Sequence, residues 1–364
     1  MKIKEIIHAL EMFAPLPLQD GFDNAGLQVG LTDAEATGAL LCLDVTEAVV
    51  DEAVAVGANL IVAHHPLLFK GCKSITGKDY VERCVIKALK NDIVIYAMHT
   101  NLDNAPLGVS FKMAEKIGLR NVRVLEPKEE ALLKLVTFVP VAHAAAVREA
   151  LFEAGCGHIG QYDACSWNTD GQGTFRAGAE AHPFCGAPGE LHVEAETRVE
   201  TILPAYLKAA AERALVAAHP YEEPAYDFYA VANRWTQAGA GVVGELAEPE
   251  TETDFLKRVK KTFEVGCLRH SRMTGRLIQT VALCGGAGAF LLPKAVKARA
   301  DVFITGEVRY HDYFGCENDI LVADIGHYES EQYTKEIFYS ILREKCPAVE
   351  VTLSRVNTNP VKYL

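Results

Sequence analysis

The feature that most restricts the fold is a recurring pair: a short, wholly apolar run, then a helical pattern. Ala39-Leu40-Leu41-Cys42-Leu43 is one such run, with a helix predicted from about Thr46. Leu60-Ile61-Val62-Ala63 is a second, and Ile93-Val94-Ile95-Tyr96-Ala97 follows a helix predicted over 80–90. A further helix is predicted over about 107–117. Runs without polar alternation are strands covered on both faces, and strands separated by helices form α/β layers. The texture returns past residue 250. A helix over 254–263 precedes the run Val281-Ala282-Leu283-Cys284, then a glycine-rich turn and a helix to about Arg299. Val302-Phe303-Ile304 and Ile320-Leu321-Val322-Ala323 complete the series, and a single helix is predicted from Tyr328 to about Glu344.

The middle of the chain reads differently. Glu126-Pro127-Lys128-Glu129-Glu130 and the stretch from Asn233 through Gly239, Gly241 and Gly244 both read as linkers. Between them come a strand over 132–139, a helix opening at Pro140, a hairpin turning at Asn168-Thr169-Asp170-Gly171, an alternating strand over 192–201, a helix opening at Pro204 and a strand over 225–231. Proline suits a first helical turn, and the order contains the ferredoxin-like split βαβ pattern with one added strand. The expected fold class is therefore α/β: a discontinuous α/β core with mixed sheets over 1–127 and 248–364, carrying an inserted ferredoxin-like α+β domain over 128–247. Two domains also suit 364 residues.

Charge narrows the partners. The net charge is -12, which argues against sequence-independent nucleic-acid binding. Residues 128–247 hold 16 acidic and 8 basic side chains, so -8 lies there and only -4 on the flanks. The global sum therefore does not oppose an anionic substrate in the core. Ile3, Ile6, Ile7 and Leu10 share a helical face among charged residues, which is an amphipathic helix and not a signal segment. The most apolar stretch, Leu277 to Pro293, is interrupted by Gln279, Thr280 and three glycines, so no membrane partner is expected. Ten scattered cysteines without Cys-x-x-Cys pairs fit a reducing, cytoplasmic setting. Cys156 near His158 is the one thiol beside a histidine base, and packing or a turn accounts for it.

Chemistry gathers after the core strands. Leu60–Ala63 ends in His64-His65-Pro66, Ile93–Met98 in His99 through Asp103, Val302–Thr305 in Gly306-Glu307 and then His311, and Ile320–Ala323 in Asp324, with His327 and Glu331 beyond. Open α/β sheets bind ligands outside the carboxyl ends of their strands. His327 and Glu331 stand four apart, on one helical face. His64, His65, Asp103, His327 and Glu331 together supply nitrogen and oxygen donors without thiolate. Such a set suits zinc or iron first, and manganese, cobalt or nickel also. Five ligands exceed what one catalytic ion needs and suit two ions bridged by a carboxylate.

Four further features carry a structural alternative. Gly285-Gly286-Ala287-Gly288 lies between strand and helix, where the N–H groups of Gly286 and Gly288 could cradle a phosphate, or the segment is a plain tight turn. Asp23 and Asn24 either orient substrate or shape a turn. Glu307 and His311 are candidate acid–base groups or partners of the metal ligands, or cap a short helix. His219 before Pro220 reads as structural.

Five motifs in order resemble the Nif-three-like dinuclear metal centre family, whose members carry the label GTP cyclohydrolase 1 type 2 homologue. They are Asp23-Asn24-Ala25-Gly26-Leu27-Gln28-Val29-Gly30, Ala63-His64-His65-Pro66-Leu67, His99-Thr100-Asn101-Leu102-Asp103, Thr305-Gly306-Glu307-Val308-Arg309-Tyr310-His311 and Gly326-His327-Tyr328-Glu329-Ser330-Glu331. The resemblance spans the chain, and His219-Pro220-Tyr221-Glu222-Glu223-Pro224 looks like part of the long form with a middle insertion. It implies that Glu331 bridges two ions, with His65 and Asp103 on one and His64 and His327 on the other. It also implies a toroidal homohexamer and opening of a guanine imidazole ring by metal-activated water.

The expected function is thus that of a metal-dependent hydrolase acting on a nucleotide or other phosphate-bearing substrate. Two divalent ions beside Asp103 and Glu331 leave a net charge of about +2, which favours a small anionic substrate. The alternative is a non-catalytic metal-binding or regulatory ring whose inserted domain senses a ligand.

Overall fold

The computed structural model describes residues 1–315 and 318–364. The chain divides into two compact units, Met1–Pro127 with Gln237–Leu364, and Lys128–Thr236.

The first unit contains two mixed sheets. In one, the strands run in the order Gly26–Val29, Val94–Ala97, Leu60–Ala63, Ala39–Cys42, Val351–Leu353. The last four run parallel to one another, and Gly26–Val29 pairs antiparallel with Val94–Ala97. In the other, the order is Arg269–His270, Leu321–Asp324, Val302–Thr305, Leu277–Cys284, Trp235–Thr251, Arg120–Lys128. Its three central strands are parallel, and register aligns Cys284, Thr305 and Asp324 at one edge. In the first sheet Cys42, Ala63 and Ala97 align in the same way. Each apolar run therefore delivers the residues that follow it to a carboxyl edge.

Helices form where a cap and an apolar stripe coincide. Asp79 accepts from the Glu82 N–H at 2.9 Å and starts Tyr80–Lys90. Thr251 accepts from Asp254 at 3.2 Å and starts Glu252–Thr262, whose Phe255, Leu256 and Val259 enter the core. Ile3, Ile6, Ile7 and Leu10 are the buried face of Ile3–Phe13. The helix predicted from Tyr328 to Glu344 is two: His327–Glu331 and Thr334–Lys345. At the break, the Gln332 amide donates to the Phe263 carbonyl and the Tyr333 hydroxyl to that of Thr262. Among the described residues, no helix is long and apolar enough to cross a membrane.

The second unit holds an antiparallel sheet in the order Ser166–Arg176, Leu191–Pro204, Leu132–Pro140, Tyr226–Ala230. Helices Ala144–Glu153 and Lys208–Ala218 connect its strands. The two follow one plan, in which a strand ends at a proline and a 3₁₀ turn leads into the helix. The hairpin predicted at Asn168-Thr169-Asp170-Gly171 does not form. Ser166–Arg176 pairs without interruption from Thr201 to Leu191. Those turn-forming residues are exposed, so their polar side chains stay in water while the neighbouring strand satisfies the backbone.

The second predicted linker is likewise a strand. Trp235–Thr251 pairs with Leu277–Cys284, and the Gly239 N–H donates to Asn104 O at 2.9 Å. Its glycines permit close packing: a Cβ on Gly239 would lie 2.1 Å from Glu126 O, at a φ of +147°, and one on Gly241 would lie 2.7 Å from Leu291. Gly239→Ala should therefore destabilise the core by about 1–3 kcal/mol, read as a lowered midpoint in chemical denaturation. An unchanged midpoint would show that this approach is not rigid.

Candidate metal centre

Glu331 closes the short helix His327–Glu331 and is 3% exposed. Its two oxygens serve different partners. Oε2 lies 3.0 Å from His65 Nε2 and 3.2 Å from His327 Nε2. Oε1 lies 3.6 Å from His64 Nε2, which in turn lies 3.7 Å from Asp103 Oδ1. All five residues named from the sequence meet here, but the donors group differently from the resemblance. His65 and His327 share one carboxylate oxygen, and His64 and Asp103 cluster at the other. The cause is local: His64 and His65 leave one strand end with their rings tilted 50° apart, and each reaches a different oxygen.

Backbone and carboxylate partners hold the imidazoles. His64 is fully buried with Nδ1 2.8 Å from Met98 O, and His65 Nδ1 lies 2.7 Å from Asp44 Oδ1. The N–H groups of both residues donate to Leu43 O, which fixes the bend after the strand. Asp44 was missed from the sequence. The rule that found the others, a polar residue just past a parallel strand, finds it after Ala39–Cys42. Glu307 Oε2 lies 3.4 Å from His327 Nδ1, so it is an exposed partner of that ring. His311 is exposed and packs against Tyr310 and Phe314.

His99 belongs to this place. Its ring centre is 5.4 Å from those of His64 and His65, and one of its ring nitrogens lies within 4.8 Å of nitrogens of both. Asp23 Oδ1 is 2.7 Å from His99 Nδ1, and Oδ2 accepts from the Thr100 N–H and hydroxyl. Burial opposes ionisation of Asp23, but these bonds prevail and hold its pKa at about 2. Both oxygens are thus committed to positioning His99 and the turn that carries Asp103. Asn24 donates to Leu68 O at 2.8 Å.

The glycine loop has a role other than a phosphate cradle. The N–H of Gly286 donates to Ser330 Oγ and that of Gly288 to Thr305 Oγ1, each at 2.9 Å, so neither faces a ligand. What the loop needs is closeness. A Cβ on Gly286, at φ +61°, would lie 2.3 Å from Glu331 Oε1. His219 is structural: Nε2 lies 3.0 Å from Phe138 O and Nδ1 accepts from the Tyr221 N–H. Cys156 is buried, which pushes its thiol up to about 11.

The donor set fits a cation. His64 Nε2, Asp103 Oδ1 and Glu331 Oε2 are buried and make no hydrogen bond, a condition buried polar atoms rarely tolerate. Electrostatics point the same way. Burial would lower the pKa of His65, but Asp44 and Glu331 outweigh it and raise it to about 10. His327 rises to about 9, with Glu331 overcoming burial. Burial, then the Glu331 charge, pushes Asp103 up to about 8. Against its own burial, Glu331 is held well below the usual range by His64, His327 and His65.

The fold and cluster thus define an α/β protein with a group of histidine and carboxylate side chains that could hold a metal ion at the carboxyl edges of its core strands. The chain belongs to the Duf34/NIF3 (NGG1p interacting factor 3) family, whose profile matches residues 1–360. A GTP cyclohydrolase 1 type 2 homolog of Halalkalibacterium halodurans is 39% identical over 364 residues, covering 99% of this chain and 98% of its own. One of the same name from Bacillus subtilis is 36% identical over 371 residues, covering 99% and 98%. The crystal structure of a Bacillus cereus protein related to NIF3 superposes with a TM-score of 0.87 at 37% identity, covering 100% of this chain and 99% of that one.

Below these raised pKa values the free donors hold protons that a cation must displace. Zinc should bind more tightly as pH rises from about 6 to about 8, with net proton release. Calorimetry in buffers of different ionisation heat measures this; heats independent of buffer would contradict it.

Proposed function

We propose that the chain is a metal-dependent hydrolase that acts on a nucleotide or another phosphate-bearing anion. The observation that carries this reading is the division of the Glu331 oxygens between two donor groups. His65, His327 and Oε2 would hold one divalent ion, and His64, Asp103 and Oε1 the other, zinc or iron in first place. Bound there, the ions would lower the pKa of a water and polarise the group it attacks. The protein's own part is orientation. Asp44 and the Met98 carbonyl fix His65 and His64. Asp23 fixes His99, which we assign to proton transfer beside the cluster; Glu307 orients His327. The names of the relatives point to GTP as the first nucleotide to try.

The test is metal content and turnover together. Glu331→Gln should lose both ions, whereas His64→Ala and His327→Ala should each lose chiefly one, as read by elemental analysis of folded protein. Hydrolysis of nucleotides, GTP included, should fall at least about a hundredfold in each. Wild-type protein that keeps both ions and turns over no nucleotide or phosphate ester would refute the hydrolase reading.

A second reading, a metal-binding regulatory assembly, is favoured by a cavity of about 580 Å³ in the second unit. We infer that this unit is a ferredoxin-like module, since its chain order β-α-β-β-α-β gives the sheet order second, third, first, fourth. Self-assembly into a homohexamer, in the cytoplasm, completes the proposal. The core offers an apolar groove of about 870 Å³, lined by Met12, Phe13, Leu107, Phe111 and Ile341, as ground for a second copy. Light scattering after size exclusion should return six times the 39.7 kDa chain mass; a monomer would rule the assembly out.

A further inference from the structure

The second unit carries another group of potential ligands, Cys185, His192 and Glu194, with one donor atom of each within 4.8 Å of the others. They come together for definite reasons. His192 and Glu194 are two apart on the strand Leu191–Pro204 and so share a face. The segment 177–190, between two strands, returns over that face with Cys185. Its passage requires Gly186, at φ +78°, because a Cβ there would lie 2.8 Å from the His192 ring. His192 Nε2 is then 2.8 Å from Glu194 Oε2. The Tyr221 hydroxyl lies 3.8 Å from Cys185 Sγ and donates to the buried Glu196 at 2.8 Å.

An ion pair joins the histidine and glutamate, and the thiol, which donates to the Tyr221 hydroxyl, adds a sulfur donor within reach of both. Burial and the Glu194 carboxylate raise the Cys185 pKa, so the thiol keeps its proton unless a cation replaces it. One sulfur, one nitrogen and one oxygen donor form the three-ligand set that zinc accepts with a fourth position open, and the thiolate selects against magnesium and calcium.

We propose that Cys185, His192 and Glu194 form a second metal site, for a thiophilic divalent cation with zinc foremost, separate from the cluster around Glu331. Bound there, the ion pins segment 177–190 to its strand, beside the cavity that Tyr221 and Glu196 line.

Cobalt(II) tests this in the full-length protein. Among the described residues the cluster around Glu331 has no thiolate donor, so a sulfur-to-cobalt charge-transfer band in the near ultraviolet that depends on Cys185 reports the new site. Chelator-treated protein titrated with cobalt should develop the band, and zinc should erase it. Cys185→Ser should abolish it. His192→Ala and Glu194→Gln should each weaken cobalt binding about tenfold or more, since even outer partners of a ligand are worth that much. Glu331→Gln should leave the band intact. The site is overturned if wild-type protein gives no band, if the band survives Cys185→Ser, or if His192→Ala leaves its titration unchanged in protein with a native circular dichroism spectrum.

Discussion

The core depends on one buried carboxylate. Taking a charged carboxylate out of water costs several kcal/mol unless opposite charge and hydrogen bonds replace its hydration. Glu331 is 3% exposed, and its surroundings are built to make that tolerable. Imidazoles reach it from the end of one sheet's strand, at His64 and His65, and from its own helix, at His327. Each has its second nitrogen engaged by Met98, Asp44 or Glu307. The members depend on one another: removing an imidazole leaves the buried anion with less compensation, and removing the carboxylate takes away the charge that raises the pKa of His65 and His327 against their burial.

That arrangement explains why the predicted long helix breaks and why glycines crowd its first turn. His327–Glu331 is only five residues, too short to be stable by itself. Neighbouring loops hold it through direct backbone contact. Gly286 donates to Ser330, and a Cβ on Gly306 would lie 2.4 Å from the same Ser330 Oγ. The missing side chains are thus a packing requirement, and the resemblance of the Gly285–Gly288 segment to an anion-binding turn is incidental. The N–H groups of Gly286 and Gly288 are already bonded inside the protein.

Much of this was legible in the sequence because parallel strands are simple objects. An apolar run four residues long fixes a strand, the helix between two runs fixes their direction, and direction fixes the edge where polar residues collect. His64, His65, Asp103, His327 and Glu331 follow from that chain of reasoning. Asp44 obeys the same logic and escaped only because its run, Ala39 to Leu43, ends in a lone acid without a histidine. The grouping of the donors was not legible. It depends on ring tilt after a strand end, which spacing does not encode. The misread segments share another cause. Asn168–Gly171 and Gly239–Gly244 contain residues that favour turns locally, but long-range pairing decided both, through an exposed edge strand in one case and close backbone approach in the other.

The pair of ions proposed above rests on the same division of donors. The rings of His64 and His65 lie 4.9 Å apart and tilted by 50°, each nearest a different oxygen of one carboxylate. A single ion would have to draw both nitrogens and Asp103 to one carboxylate oxygen, against the hydrogen bonds that anchor each ring from behind. Two ions need no such movement, because each oxygen of Glu331 already has its own donors. The buried atoms without hydrogen bonds fall on both sides of the division: His64 Nε2 and Asp103 Oδ1 at one oxygen, Glu331 Oε2 at the other. In the proposed two-ion site, each of these three atoms would face a cation.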